Sequence, residues 1–485
     1  MFGVKSSRLI CRILLLTVVV VLFGFGTLVR VDAADKEAQV EPVETVISDF
    51  FGSMVRLELT TGELMEKGFD AGDMVSVKIG DSEPVTMPFV ERISGIGFRK
   101  SSLGGYTPDS KLMLHMSGVD LGETFGIEKD QAGIAVTIGM AGKGAFLNEL
   151  QAWNYGRMSN DRGDFPNLSD EEFANHRMVR TTGMMKGILY RTSSPINPMI
   201  NRNLIADKAN KKAGVTTIIN LSESPESAKE RDGYEKSYYV KTHHIEVDMK
   251  TDFGSEDFNS RLVRGLKYMI ANPGVFEVNC IYGKDRTGFM IAVLEALAGA
   301  SYDELIEDYA ATFRHYYPDY DNYEPIEERD RTIGEGNLIA QMQYAYGVDD
   351  LKNADLAAAT EDYLRKNGMT DSEIKKLRKC LTTNKYIIPK GTVIKTLKLS
   401  SRKAVVKWRK QKSKIFGSHI TGYKIQLATN RKFTKNKKTI TVKGYKKTSA
   451  KIGGLKRGKK YYARILTYKK AGSKQFSSKW SAAFK

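Results

Sequence analysis

Between Ile47 and Gly139 the apolar residues mostly alternate with polar ones, in stretches such as MVRLELTTGE, DMVSVKIGDSEPVTMPFV, KLMLHMS and GIAVTIG. This two-residue period with Gly and Asp-Ser punctuation predicts short strands, hence a β-rich domain over residues 47–140 built as a barrel or a sandwich. From 141 to 385 the pattern changes. GILYR, GVTTIINL, YVKTHHIEVD and VFEVN read as strands. Between them lie helical periods: one around 203–212, one with Phe258, Leu262, Leu266 and Met269 on a single face, and the apolar run TGFMIAVLEALAG. A further helix opens on the capping pair Ser301 and Glu304, and another on Thr370 and Glu373. Strands separated by helices imply an α/β domain with a central, mostly parallel sheet. After about residue 389 short strands return at even spacing (KAVVKW, GYKIQLAT, KKTITVKG, KKYYARILTYKK), as expected of a β-sandwich.

The first 33 residues stand apart. Lys5, Arg8 and Arg12 precede ILLLTVVVVLFGFGTLV, and Val31-Asp32-Ala33 offers a small-residue cleavage site before Ala34. This predicts a secretory signal, with an uncleaved anchor as the alternative, followed by a polar linker over 34–46. The expectation is a secreted or cell-surface, cell-wall-associated protein without polytopic membrane insertion. Once the signal is gone only Cys280 and Cys380 remain, so two free thiols are expected rather than a disulfide framework.

Charge divides the chain again. Residues 386–485 hold 30 Lys and Arg and no Asp or Glu, against 45 basic and 57 acidic residues in the remainder. The net charge of +18 therefore joins an acidic body to a strongly cationic tail. Such a tail attracts anionic cell-wall polymers or surfaces. Its lysines alternate along strands without aromatic clustering, so no specific nucleic-acid partner is expected.

Candidate chemistry concentrates in VNCIYGKDRTGF, residues 278–289. Cys280 ends a strand and a helix follows, so the N–H groups of Ile281, Tyr282, Gly283, Lys284, Asp285 and Arg286 can turn inward around an anion, with the helix N-terminus behind them. The same field favours thiolate over thiol. Arg286 supplies a planar fork for two phosphate oxygens, and the Thr287 hydroxyl can hydrogen-bond the sulfur. Lys284 would add positive charge at the rim of such a site. Protonation of a leaving oxygen needs an acid as well. No carboxylate–histidine spacing suits a metal, and adjacent His243 and His244 face opposite sides of a strand.

CIYGKDRTG resembles the signature loop of the protein tyrosine phosphatase superfamily, in its bacterial tyrosine and dual-specificity form, and FANHRMV, ILYRTSSPINP and GVTTIINLSES extend the similarity over about 170–315. The resemblance implies a cysteine-dependent phosphatase that works through a phosphocysteine intermediate without cofactor or metal. Its substrate would be a phosphoprotein or a phosphoinositide. Cys280 would be the nucleophile, Arg286 the phosphate clamp and Thr287 the thiolate partner. The family's acid is an aspartate about thirty residues before the cysteine, which makes Asp248 the first choice, with Asp252 close behind and Asp285 inside the loop as a third candidate. Asn279 departs from the family, which carries histidine before the cysteine. An inositol phosphate or lipid phosphatase, or an inactive surface-binding protein, are the alternatives. The tail resembles a fibronectin type III module through Trp408, Tyr423, Leu455, Gly458, Tyr461 and Arg464.

Overall fold

In the computed structural model the described residues are 40–485, apart from 52–53, 93–100, 106, 116–120, 126 and 129–130. The segment read as a secretory signal lies outside them. Among the described residues no helix is long and apolar enough to cross a membrane.

The N-terminal alternation folds into seven strands: β1 (Val43–Phe51), β2 (Met54–Thr60), β3 (Met74–Ile79), β4 (Val85–Arg92), β5 (Ser102–Gly105), β6 (Lys111–His115) and β7 (Ala135–Gly142). They close into a barrel in the order β1-β2-β6-β5-β4-β3-β7, with β4 and β5 parallel and the other pairs antiparallel. Closure leaves no free sheet edge, which resolves barrel against sandwich. The inward residues, among them Ile47, Leu57, Val75, Phe89, Leu114 and Ile138, fill one core.

The middle of the chain contributes β8 (Arg177–Met178), β9 (Leu189–Ser193), β10 (Thr217–Asn220), β11 (His243–Glu246) and β12 (Phe276–Cys280). They form one sheet in the order β11-β10-β12-β9-β8, parallel throughout except for the β8–β9 edge pair. The strands are shorter than the sequence pattern suggests. Of YVKTHHIEVD only His243–Glu246 is strand, because Tyr239–Lys241 closes a 3-10 turn whose tyrosine is buried. The expected helices are present at Asn203–Ala213, Glu256–Ala271, Asp285–Ala298, Tyr302–Arg314 and Asp371–Thr382. Both predicted capping boxes form, at Ser301 with Glu304 and at Thr370 with Glu373. Helix Asp285–Ala298 is buried almost all round, from Thr287 to Leu297, so it runs through the middle of the domain.

The last hundred residues make a sandwich of a three-stranded and a four-stranded sheet around Trp408, Tyr423, Ile425 and Ile465. It docks on the preceding domain: Ser473 N–H donates to the Lys211 carbonyl at 2.7 Å, and Phe476 joins the core of the α/β domain.

Candidate active site

The carboxyl ends of β9, β10, β11 and β12 lie side by side, where open parallel sheets place their ligand crevices. Cys280 is the last residue of β12, and the chain turns through 281–284 into the helix that begins at Asp285. Gly283 makes that turn possible. Its φ is +65°, and a Cβ there would stand 2.1 Å from the Thr192 carbonyl oxygen.

Four successive carbonyls of the loop are held, three of them from outside it and the fourth by the helix that follows. Ile281 accepts from Ser194 N–H at 3.1 Å. Tyr282 accepts from Asn175 Nδ2 at 3.1 Å and from the Tyr316 hydroxyl. Gly283 accepts from Asn175 Nδ2 at 3.0 Å and Arg191 Nη2 at 2.9 Å, and Lys284 from Gly288 N–H at 2.7 Å. With these carbonyls turned outward, the N–H groups of Ile281, Tyr282 and Gly283 are left without an acceptor among the described residues. This is the arrangement of an anion nest, and it opens at the positive end of a 14-residue helix.

The outer brace is itself buried and charged. Arg191 and Arg177 share the carboxylate of Asp308. Burial alone would push the Asp308 carboxyl up, but the two guanidinium groups outweigh it and hold it below the usual range. Arg177 also donates to Asn175 Oδ1, on which His315 Nδ1 converges at 3.0 Å. His315 is held well below the ordinary imidazole range, first by burial and then by the surrounding arginines, so it is neutral. Arg202 lies between the rings of Phe173 and Tyr316, 4.0 Å from each centroid, and donates to the carbonyls of Phe173, His315 and Ser159.

The loop residues predicted from sequence take distinct positions. Cys280 is a free thiol, 3% exposed. The Thr287 hydroxyl is buried without a partner among the described residues. Arg286 donates to the Met249 carbonyl at 2.8 Å, which ties the loop to the segment bearing Asp248 and Asp252. Asp248 has φ +49°, and its carboxylate lies 3.5 Å from Arg261 and 3.4 Å from Lys250. Arg261 and Arg264 fasten the preceding backbone through the carbonyls of Glu246, Val247 and Asp248. Asp252 accepts from the Ser255 hydroxyl. Asp285 pairs with Lys284 at 2.8 Å and accepts from Tyr309 at 3.3 Å. Lys284 is therefore not the open rim charge its position suggests: its ammonium is bound to Asp285 and lies 5.1 Å from the Phe313 ring centroid. Among the described residues no cluster of His, Cys, Asp and Glu could hold a metal ion.

With this geometry in place the comparisons are specific. Residues 178–383 match the model of the tyrosine phosphatase family. This part of the chain carries the likeness to that family. Residues 389–483 match the fibronectin type III domain. Among solved structures, the core catalytic domain of the PP-IP phosphatase SIW14 from S. cerevisiae, in complex with citrate, is 18% identical. That alignment covers 34% of this chain and 85% of the yeast one, with a TM-score of 0.21. No curated protein matches the chain. The phosphatase domain thus carries its signature loop on a brace that sequence reasoning missed. Asn175, Arg191, Arg202, Asp308 and Tyr316 are far apart in the chain. The only sequence signal was that Asn175 and Arg191 sit in FANHRMV and ILYRTSS.

Proposed function

We propose that the protein is a cysteine-dependent phosphatase that hydrolyses phosphate monoesters, phosphotyrosine foremost. The observation that carries this reading is the bonding of the loop carbonyls next to Cys280, which leaves the N–H groups of Ile281, Tyr282 and Gly283 without an acceptor among the described residues. A phosphoryl group seated there meets the N–H groups of Ile281–Gly283, the helix end and Arg286. The Cys280 thiolate attacks phosphorus; an S–P bond forms as the ester P–O bond breaks. The leaving oxygen takes a proton from an acid, a role this reading gives to Asp248. It follows β11 by two residues, its carbonyl accepts from Arg261, and it adjoins Met249, whose carbonyl accepts from Arg286. Water then attacks phosphorus, giving a proton to the same carboxylate, and sulfur departs with the bonding pair, stabilised by the Thr287 hydroxyl.

The buried charge network supports an enzyme over an inactive binding protein, since only an intact loop needs so many groups holding its carbonyls. The further reading is an exported enzyme held at an anionic cell-wall polymer by its cationic fibronectin-type domain. The test of function is phosphate release from phosphotyrosine peptide, phosphoserine peptide and a phosphoinositide, with Cys280→Ser beside the wild type. Release lost in the variant is expected, and the preferred ester identifies the substrate class. No release from any ester would leave the surface-binding reading.

A further inference from the structure

Three residues before the nucleophile, β12 carries a glutamate in the middle of the sheet. The two-residue period of a strand puts Glu277 and Asn279 on one face and Val278 and Cys280 on the other. On the Glu277 face packs helix Asn203–Ala213, which presents Asn210. Glu277 Oε2 accepts from Asn279 Nδ2 at 3.1 Å and from Asn210 Nδ2 at 3.4 Å, and all three side chains are fully buried. We propose that Glu277 is a positioning residue for the nucleophile: its carboxyl grips the Asn279 amide and so fixes the strand end on which Cys280 stands. The proposal rests on the reading of Cys280 as the nucleophile.

Three oxygens in this cluster, Glu277 Oε1, Asn279 Oδ1 and Asn210 Oδ1, have no donor among the described residues. A carboxylate would be a bare charge with two amide donors and no cationic partner among the described residues, an arrangement that burial opposes strongly. A carboxylic acid brings an O–H and supplies a missing donor. The electrostatics agree. Burial first, and then the negative charges of Cys280 and of Asp207 on the packed helix, drive the Glu277 carboxyl well above its ordinary range, against the two amide hydrogen bonds. The acidic groups that face it, from its own strand and from the helix, thus both favour the proton. A neutral acid–amide pair therefore occupies the place where the family resemblance expects an imidazole. It orders the strand end without adding charge of either sign, leaving the thiolate to the loop N–H groups and the helix.

The test is the pH dependence of Cys280 alkylation by iodoacetamide in the full chain, read with kcat and KM. Cys380 stays silent below about pH 9, because burial pushes its thiol up to about 11, and Cys280→Ser supplies the blank. Glu277→Gln keeps a neutral group that donates and accepts, and should follow wild type within about twofold. Glu277→Leu and Asn279→Ala break the grip from either side. Each should raise the alkylation midpoint by about one pH unit and lower kcat about tenfold, with KM within about twofold. Wild-type midpoints in the folded Leu or Ala variant would overturn the proposal. So would a Gln variant as impaired as they are, and this arm holds if Glu277→Leu fails to fold. A wild-type chain inactive on every ester would instead overturn the catalytic reading, while the alkylation midpoints decide the role of Glu277 separately.

Discussion

Arg191 donates to the carbonyl of Gly283 across 2.9 Å while its other nitrogen holds Asp308, so one buried side chain joins the loop to helix Tyr302–Arg314. The fork geometry matters as much as the charge. Arg191→Lys keeps a cation near Asp308 but cannot reach both partners. It should lower kcat about tenfold or more with a modest loss of stability. Arg191→Met leaves the buried Asp308 to Arg177 alone and should cost about 3–5 kcal/mol, read as a lower midpoint of urea unfolding. Equal kinetics in the Lys variant and wild type would show that the Gly283 bond does not order the loop.

Gly283 tests the same loop from inside. An alanine there would adopt φ near +65° and put a methyl 2.1 Å from the Thr192 carbonyl oxygen. Backbone atoms cannot yield as a flexible side chain does, so the loop itself must move. Gly283→Ala should fall at least about a hundredfold in kcat while the barrel and sandwich stay folded. Phosphate release and melting curves together check this.

The acid is distinguishable by leaving group. Asp248→Asn should lower kcat about a hundredfold on an alkyl phosphate, whose oxygen needs a proton to depart, and far less on p-nitrophenyl phosphate. The same change at Asp252, which accepts from Ser255, or at Asp285, which is bound to Lys284 and Tyr309, should alter the two substrates alike. A leaving-group-dependent loss at Asp285 instead would move the acid into the loop.

How far the sequence could be read follows from the range of its interactions. The turn from Cys280 into the following helix, the capping boxes at Ser301 and Thr370, and the single strands of the sandwich are local patterns, legible within about ten residues of chain. The brace is not local. Asn175 reaches Tyr282 across 107 positions, and Arg191 reaches Asp308 across 117. Neither hydrophobic period nor motif spacing marks such partners, and an arginine within an apolar strand reads only as an irregularity. Lys284 shows the opposite error. Its place in the string suggested an open rim charge, and only the packing of Phe313 and Asp285 reveals where that charge goes.

His176 gives the phosphatase domain an acid limit. Burial lowers its pKa from 6.5 to about 4, with Glu171 opposing. A folded value below the unfolded one means the unfolded chain binds the proton first. The stability this imidazole contributes is therefore present above pH 6.5 and lost as pH falls toward 4, by about 3 kcal/mol in all. His176 also stacks on Tyr190 at 5.4 Å, so His176→Phe retains a ring while removing the titration. Urea unfolding at pH 7.5, 5.5 and 4.2 should show the wild type losing more stability than the variant, and parallel losses would exclude His176 as the source.

The cationic domain docks away from the crevice beside Cys280. Gly417 lies against His243, where a Cβ would meet Nε2 at 2.4 Å, and His243 begins β11, whereas Cys280 ends β12. Retention through this domain would thus leave the loop open to substrate. Its thirty basic side chains have no acidic residue within residues 386–485 to neutralise them, so binding to an anionic polymer should be governed by screening. The Debye length falls from about 10 Å at 0.1 M salt to about 3 Å at 1 M. The full chain should bind teichoic acid or another polyanionic matrix at low salt, elute between these limits, and keep its phosphatase activity on the matrix. A chain ending before residue 389 should pass through unbound. Retention that persists at 1 M salt would mean that contacts other than charge hold the domain, and loss of activity on the matrix would mean that the catalytic face, not the opposite end of the sheet, meets the polymer.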